Sequence, residues 1–463
     1  MAKNKEGSVK PFGMIDKLAY ALGDCGNDFT FILCSTLLMK FYSDVMGIST
    51  VIVGMLMMVA KFVDAFTDVA MGQIVDRSEP KGGKFIPWMK RFMIPVVVAS
   101  FLMYASWFAN MPYAFKIVWL VVTYLLWGSI CYTGVNVPYG SMASALTDNP
   151  EERTQLSTFR SMGATVASMV ISVIIPLVVY YTDADGNKVL SGTKVSILAL
   201  ICSILALLCY LVCTGCSTER VKIEKKTESF SLGALFKQLF SSRALLSIVV
   251  AMVVLLLAQL TMSSMMSYVF PNYFGNTTAQ SLSGLLGAVV MFVLALAVIP
   301  PASKKFGKKE ISVVGNFIGA AGFAVAFVIH THNVWLFMVL FLVGYIGLGM
   351  FNGVVWAMIV DVIDEDEVRR GTRSDGTIYS LYSFARKVGQ ALANGLSGLL
   401  LGLIGYTAET AFDTSVVNGI YNITTIVPCI GFVLVAVILQ FWYPLNKKRV
   451  DANAAELKAR RGE

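Results

Sequence analysis

Long apolar runs, broken only by short polar loops, dominate this chain and leave few folds open to it. Ser247–Leu260 and Val289–Ile299 each pass without a charged residue. Only 14% of the 463 residues are charged and the mean hydropathy is +0.69, whereas a soluble domain carries roughly 25% charged residues. A bilayer core about 30 Å thick needs about 20 apolar residues per helix, so the chain has room for about twelve such helices. Within lipid every backbone polar group must find its partner inside the protein, which leaves helices or a closed barrel. A barrel shows short alternating strands. The continuous runs here predict helices.

The pattern places spans at 18–43, 49–76, 86–109, 115–144, 154–181, 193–216, 244–273, 279–302, 311–331, 334–363, 377–404 and 418–444. Lysine and arginine set their orientation. Lys3, Lys5, Lys10 and Lys17 precede span one, and Arg77, Lys81, Lys84, Lys90 and Arg91 flank the second loop. Further clusters lie at Arg220–Lys226, Lys304–Lys309, Arg369–Arg373 and Lys447–Arg449. All fall on one side of the membrane, so both termini are expected in the cytoplasm, with the chain in a bacterial inner membrane. The first residues show no apolar leader of a cleaved signal. The net charge of +8 follows from this sidedness and needs no nucleic acid. The eight cysteines have no zinc spacing and no disulfide framework, and read as small apolar residues in helix packing.

The charged stretch near 217–240 divides the spans six and six. The expected organisation is an N-terminal six-helix bundle over 1–217, a middle loop over 218–240, a C-terminal bundle over 241–445 and a tail over 446–463. The halves echo each other, because Gly72–Arg77 after span two has a counterpart in Pro300–Lys309 after span eight. This pair resembles the loop signature of the major facilitator superfamily in a degenerate form. The resemblance implies an all-α membrane fold of twelve helices, in two halves related by a pseudo-two-fold axis, with the substrate site at mid-depth.

Three acids then stand out: Asp28 in span one, and Asp64 and Asp68 in span two. Each costs about 2.5–3.5 kcal/mol at the bilayer centre, so together they would cost on the order of 8–10 kcal/mol facing lipid. They must face the protein interior. Asp64 and Asp68 are one turn apart and share a helix face, with Lys61 and Thr67 beside them. A buried salt-bridge network that fixes packing is one reading. A cation or substrate site is the other, and the cost of intramembrane carboxylates favours it. Two close carboxylates suit a monovalent cation, or can share a proton. Arg160 in span five and Arg386 and Lys387 in span eleven supply countercharge. Span four carries the polar, aromatic stretch Tyr132–Gly140, and acids, amides, arginine and aromatic rings together suit a sugar. Asp361 and Asp364, followed by Glu365–Glu367, read as a solvated cytoplasmic loop, with a charge-paired gate as the lesser reading. His330 and His332 read as rim residues. There is no nucleotide loop, zinc spacing or Ser/His/Asp set, so an enzyme is not expected and no catalytic residue is assigned.

Several segments in order carry a closer resemblance: Asn27-Asp28, Asp64–Asp68, Gly82–Trp88, Asn136–Gly140, Glu152–Leu156 and the Lys387 region. The chain resembles the glycoside–pentoside–hexuronide:cation symporters, the melibiose permease-like family. That resemblance implies roles residue by residue. Asp64, Asp68, Thr67 and Thr133 would hold the cation, with Asp64 and Asp68 as metal ligands if it is Na⁺. Asp28, Asn27, Tyr132, Asn136, Arg160, Asn352, Ser383 and Lys387 would meet the sugar. Asn136 stands where the melibiose permease has a second sugar-binding acid, and Gly140 and Asn352 stand where it has stacking tryptophans. These departures argue against melibiose and resemble the xyloside and glucuronide carrier branch, with a β-xyloside or xylo-oligosaccharide ahead of a glucuronide. The expected function is cation-coupled import by alternating access, with H⁺ as coupling ion, Na⁺ as its alternative, and no cofactor. The expected partners are a small-molecule sugar and the lipid bilayer, with no nucleic acid and no obligate protein partner. A lipid carrier or a non-transporting sensor on the same fold are the rival functions.

Overall fold

The computed structural model describes residues 11–78, 80–221, 239–371 and 375–461. Lys3, Lys5, Lys10, Arg373 and most of the expected middle loop lie outside the described residues.

Nine stretches among the described residues are long and apolar enough to cross a membrane. Helices α1 (Met14–Asp44) and α3 (Ile86–Leu102) stand where spans one and three are expected. α2 (Thr50–Arg77) lies between them, and α4 (Tyr113–Leu125) runs through a π-helical turn, Leu126–Tyr132, into α5 (Thr133–Leu146). α6 (Pro150–Val178) and α7 (Gly192–Cys216) complete the first six. Then follow α8 (Arg243–Tyr268), α9 (Thr277–Val293) continued by α10 (Ile299–Phe306), α11 (Lys308–Ile329), α12 (Val334–Asn352) and α13 (Val355–Arg370). α14 (Asp375–Leu403) fills the place of span eleven, α15 (Thr414–Val437) is the last span, and α16 (Lys447–Arg461) is a short polar helix. The chain is an all-α membrane protein, and among the described residues it has one small hairpin, in which β1 (Tyr180–Thr182) pairs antiparallel with β2 (Lys188–Leu190). Span five therefore stops at Val178 rather than 181. The Asp183 carboxylate accepts from the backbone N–H groups of Asp185 and Asn187 at 3.0 and 2.8 Å and folds the chain back.

The chain divides into two compact units. The first comprises residues up to Phe41, Val63–Val179 and Ser191–Glu228; the second comprises Tyr42–Phe62, Tyr180–Leu190 and Ser229 onward.

In the first unit, α1 and α6 cross at near backbone contact. A Cβ placed on Gly163 would lie 2.1 Å from the Ala21 carbonyl oxygen, so no larger residue fits there. Glu219 organises the start of α3. Its carboxylate accepts from the backbone N–H groups of Lys84, Phe85 and Ile86 at 2.5, 2.9 and 2.7 Å. These are donors that a helix N-terminus leaves without partners of its own, and the helix dipole favours an anion there. Gly82 and Gly83 have φ of 95° and 125°, and a Cβ on Gly83 would come 2.8 Å from Glu219 Oε1. The glycine pair thus lets the loop wrap the carboxylate. Hydrogen bonds to charged groups contribute about 1.5–3 kcal/mol each. Glu219→Ala is expected to destabilise this unit by about 3 kcal/mol, read as a lower melting temperature of the purified protein in detergent.

In the second unit, α11 and α12 pack through glycine. A Cβ on Gly319 would lie 3.0 Å from Gly347 Cα, the close backbone approach that small residues permit in membranes. The acidic run after span ten departs from its expected loop. α13 stays helical to Arg370, and Asp361, Glu365 and Asp366 are buried. Lys308 donates to Asp361 at 2.6 Å, Arg370 pairs with Asp366 at 2.8 Å, and Glu365 accepts from Arg449 and from Asn453. The partners of Asp361 and Glu365 come from α11 and from α16, so the acids fasten the polar helix to the bundle. That is why they are buried rather than solvated.

Candidate functional site

The acids of α2 meet a matching ladder of hydroxyls. Ser129 donates to Asp64 Oδ1, and Thr133 donates to Asp68 Oδ1 at 2.7 Å. Asp64 and Asp68 are four residues apart, as are Ser129 and Thr133, so both pairs form in one register. Ser129 lies within the π-helical turn and Thr133 directly follows it. π turns inside helices are frequent at functional sites, and this is one of four among the described residues. Gly128 adds access, because a Cβ there would come 3.3 Å from Asp64 Oδ1. Asp64 is 5% exposed, and Asp68 and Thr67 are half-buried. The Thr67 hydroxyl donates to the Asp64 carbonyl oxygen at 3.2 Å, one turn back on its own helix.

A second group lies between α1, α5, α6 and α7 in the same unit. Arg160 Nε donates to Asp24 Oδ1 at 3.0 Å, and its guanidinium lies 5.4 Å from the centroid of Tyr139. Tyr139 stacks on Tyr20 at 4.7 Å and donates to the Tyr20 carbonyl at 2.7 Å. Asn27 is 1% exposed and uses both ends of its amide. Its Oδ1 accepts from Tyr210 at 2.9 Å, and its Nδ2 donates to Asn136 Oδ1 at 3.4 Å. Asn27 therefore orients Asn136, and Asn136 is the more accessible of the two, being half-buried. Asp28 is also half-buried and lies in the field of Asp24 and Arg160. Tyr132 stacks against Phe31 of α1 at 6.1 Å.

The second unit has its own polar residues inside spans. Asn352 donates to Gln259 Oε1 at 3.2 Å. On α14, Ser383 is exposed and Arg386 and Lys387 are half-buried. The Arg386 guanidinium lies 5.6 Å from the centroid of Trp356, whose ring meets Tyr382 edge-on at 4.8 Å.

Sequence reasoning singled out Asp28, Asp64, Asp68 and Thr133, included Tyr139 only within the Tyr132–Gly140 stretch, and assigned nothing to Asp24, Ser129, Tyr210 and Gln259. Asp24 carried a signal, being a further acid in span one four residues before Asp28. Ser129 carried none: a lone serine in an apolar helix most often bonds back to its own backbone.

A family model described as MFS/sugar transport protein matches residues 19–447. The chain is 32% identical over 92% of its length, and 88% of the relative's, to a protein named "Isoprimeverose transporter" from Lactiplantibacillus pentosus. It is 27% identical over 96% of its length, and 95% of the relative's, to a "Glucuronide carrier protein homolog" from Escherichia coli strain K12. Among solved structures, a D-xylose-proton symporter superposes with a TM-score of 0.62 at 14% identity, over 93% of this chain and 98% of that one, which shows a shared fold. The helical architecture, the acids held inside spans and the match over nearly the whole chain lead to one assignment: it is a multi-pass membrane transporter, not an enzyme, and belongs to the MFS/sugar transport protein family, within its glycoside–pentoside–hexuronide symporter group.

Proposed function

We propose that this chain imports a glycoside together with a cation by alternating access, with the cation taken at Asp64 and Asp68 and the sugar hydroxyls at Asp28, Asn136 and Tyr132. One observation carries the reading. Residues of a single helix serve both groups: Thr133 bonds Asp68 at 2.7 Å, and Asn136, one turn on, bonds Asn27 at 3.4 Å. Tyr132, beside Thr133, packs on Phe31 of α1. A change of charge on α2 therefore acts on the sugar-side residues through α5. Coupling of this kind is a free energy shared by two sites and works in both directions. Neutralising the acid pair prepares the sugar side, and a bound sugar favours the loaded acid pair.

A proton needs one carboxylate, whereas Na⁺ needs several oxygens at once. Each acid here already takes its own hydroxyl, which supports H⁺ as the coupling ion. For the sugar, the relative named for isoprimeverose supports a xyloside, and the relative named for glucuronide supports a hexuronide. The test is uptake into proteoliposomes of xylosides, glucuronides and galactosides, with and without Na⁺ at fixed pH and with an imposed pH gradient. Accumulation driven by the pH gradient and indifferent to Na⁺ is expected. Accumulation that needs Na⁺ overturns the choice of ion, and sugar flux that responds to neither gradient overturns coupling.

A further inference from the structure

The second unit holds a cavity of about 300 Å³ that no step of the proposed transport uses. It is walled by α10, α11, α13 and α16, and none of the residues assigned above to the cation or the sugar lines it. Four lysines converge there, Lys304, Lys308, Lys309 and Lys447, against two aspartates, Asp361 and Asp451. Lys308 pairs with Asp361 at 2.6 Å and Lys447 with Asp451 at 2.8 Å. Lys309 donates instead to two backbone carbonyls, of Gln440 at 3.1 Å and of Tyr443 at 2.8 Å, and Lys304 is exposed. Among the described residues neither of these two has a carboxylate within ion-pair distance. Glu310, next to Lys309, turns one carboxylate oxygen to the Lys447 backbone N–H at 3.3 Å. Four lysines less two aspartates leave the lining with a surplus of two positive charges.

Sidedness accounts for lysines on this membrane face, but not for their convergence on one cavity from three helices. Three of them also stand where a helix disfavours them. Lys308 and Lys309 open α11 and Lys447 opens α16, at N-termini whose dipoles favour anions. Gly307 precedes α11 without a side-chain cap, and α16 has no acid in its first turn. A packing role alone matches base to acid, as Arg449 and Glu365 do elsewhere on α16. An ammonium has three donors, so Lys308, Lys309 and Lys447 keep donors beyond the bonds they make, and Lys304 keeps its own. Lysine binds phosphate as a point charge. A phosphomonoester carries a charge of about −1.5 to −2 near pH 7, which matches the surplus better than the single charge of a carboxylate. The volume lies at the lower end of the range for small-ligand pockets.

We infer that this lysine cavity is a binding site for a phosphate group, supplied by a phosphate or phosphomonoester in solution or by an anionic lipid headgroup. The site lies within the second unit and does not depend on how the chain transports. The test uses the purified full chain in a phosphate-free detergent, with melting temperature as the readout. One arm adds inorganic phosphate against chloride at constant ionic strength. The other dopes phosphatidylglycerol into the micelles against an equal amount of diacylglycerol. A saturable rise in melting temperature is expected in at least one arm; the first identifies a soluble phosphate, the second a headgroup. In Lys304→Gln the half-saturating concentration is expected to rise about tenfold. Among the described residues Lys304 has no partner to lose, so without phosphate this variant is expected to melt with the native protein. Lys305→Gln removes an equal charge one residue away, outside the cavity lining, and is expected to leave the response unchanged. No rise in either arm, or a loss in Lys304→Gln no greater than in Lys305→Gln, overturns the inference.

Discussion

Asp68→Asn is expected to abolish uphill sugar accumulation. One positive charge moved per sugar across 100 mV is worth about 2.3 kcal/mol, which supports accumulation of roughly 50-fold. Without a titratable or cation-binding group at position 68, that ratio falls to about one. The substitution is nearly isosteric, and the asparagine Oδ1 still accepts from the Thr133 hydroxyl that bonds Asp68 at 2.7 Å. Fold and helix register are therefore preserved, and the loss is one of coupling. Asp64→Asn has the same direction, with Ser129 keeping its acceptor. Uptake into energised vesicles measures the ratio directly, and accumulation at the wild-type level in Asp68→Asn would remove Asp68 from the coupling site.

The second large effect is on stability. Arg160→Gln leaves Asp24 at 11% side-chain exposure with its charge partner gone. Breaking a buried pair costs about 3–5 kcal/mol. Arg160 is 40% exposed, so water reduces the effect to about 2–3 kcal/mol. Arg160→Gln is expected to melt several degrees below the native protein. The double variant Asp24→Asn, Arg160→Gln removes both charges and is expected to recover most of the difference. A double variant no more stable than the single would show that Arg160 acts through its contact with Tyr139 instead.

The fold was legible because membrane helices announce themselves by apolar length, and the span boundaries follow the helices closely. Spans three and five end early, at Leu102 rather than 109 and at Val178 rather than 181, and span five is the instructive case. Tyr180 and Tyr181 extend the apolar run, but the Asp183 turn commits them to a strand. The paired acids were legible because intramembrane carboxylates are costly and four-residue spacing places them on one face. Their hydroxyl partners were not, since Ser129 reaches Asp64 from 65 residues away by way of a π turn that no local pattern marks. Burial of Glu365 was hidden for a similar reason: Arg449 and Asn453 lie 84 and 88 residues on. The resemblance to sugar symporters gave Arg160 a sugar contact, and its pairing with Asp24 was not read from the sequence. It also treated Arg386 as countercharge, and among the described residues its guanidinium lies against the Trp356 ring.

The most direct measurement of coupling is ion movement driven by sugar alone. Proteoliposomes holding the purified chain would be given an inward gradient of transported sugar, with no membrane potential, no pH difference and no Na⁺ gradient. The account predicts cation entry that follows the sugar: internal acidification for H⁺, abolished in Asp68→Asn. Sugar entry at full rate with no accompanying cation, the same in native and Asp68→Asn protein, would contradict it.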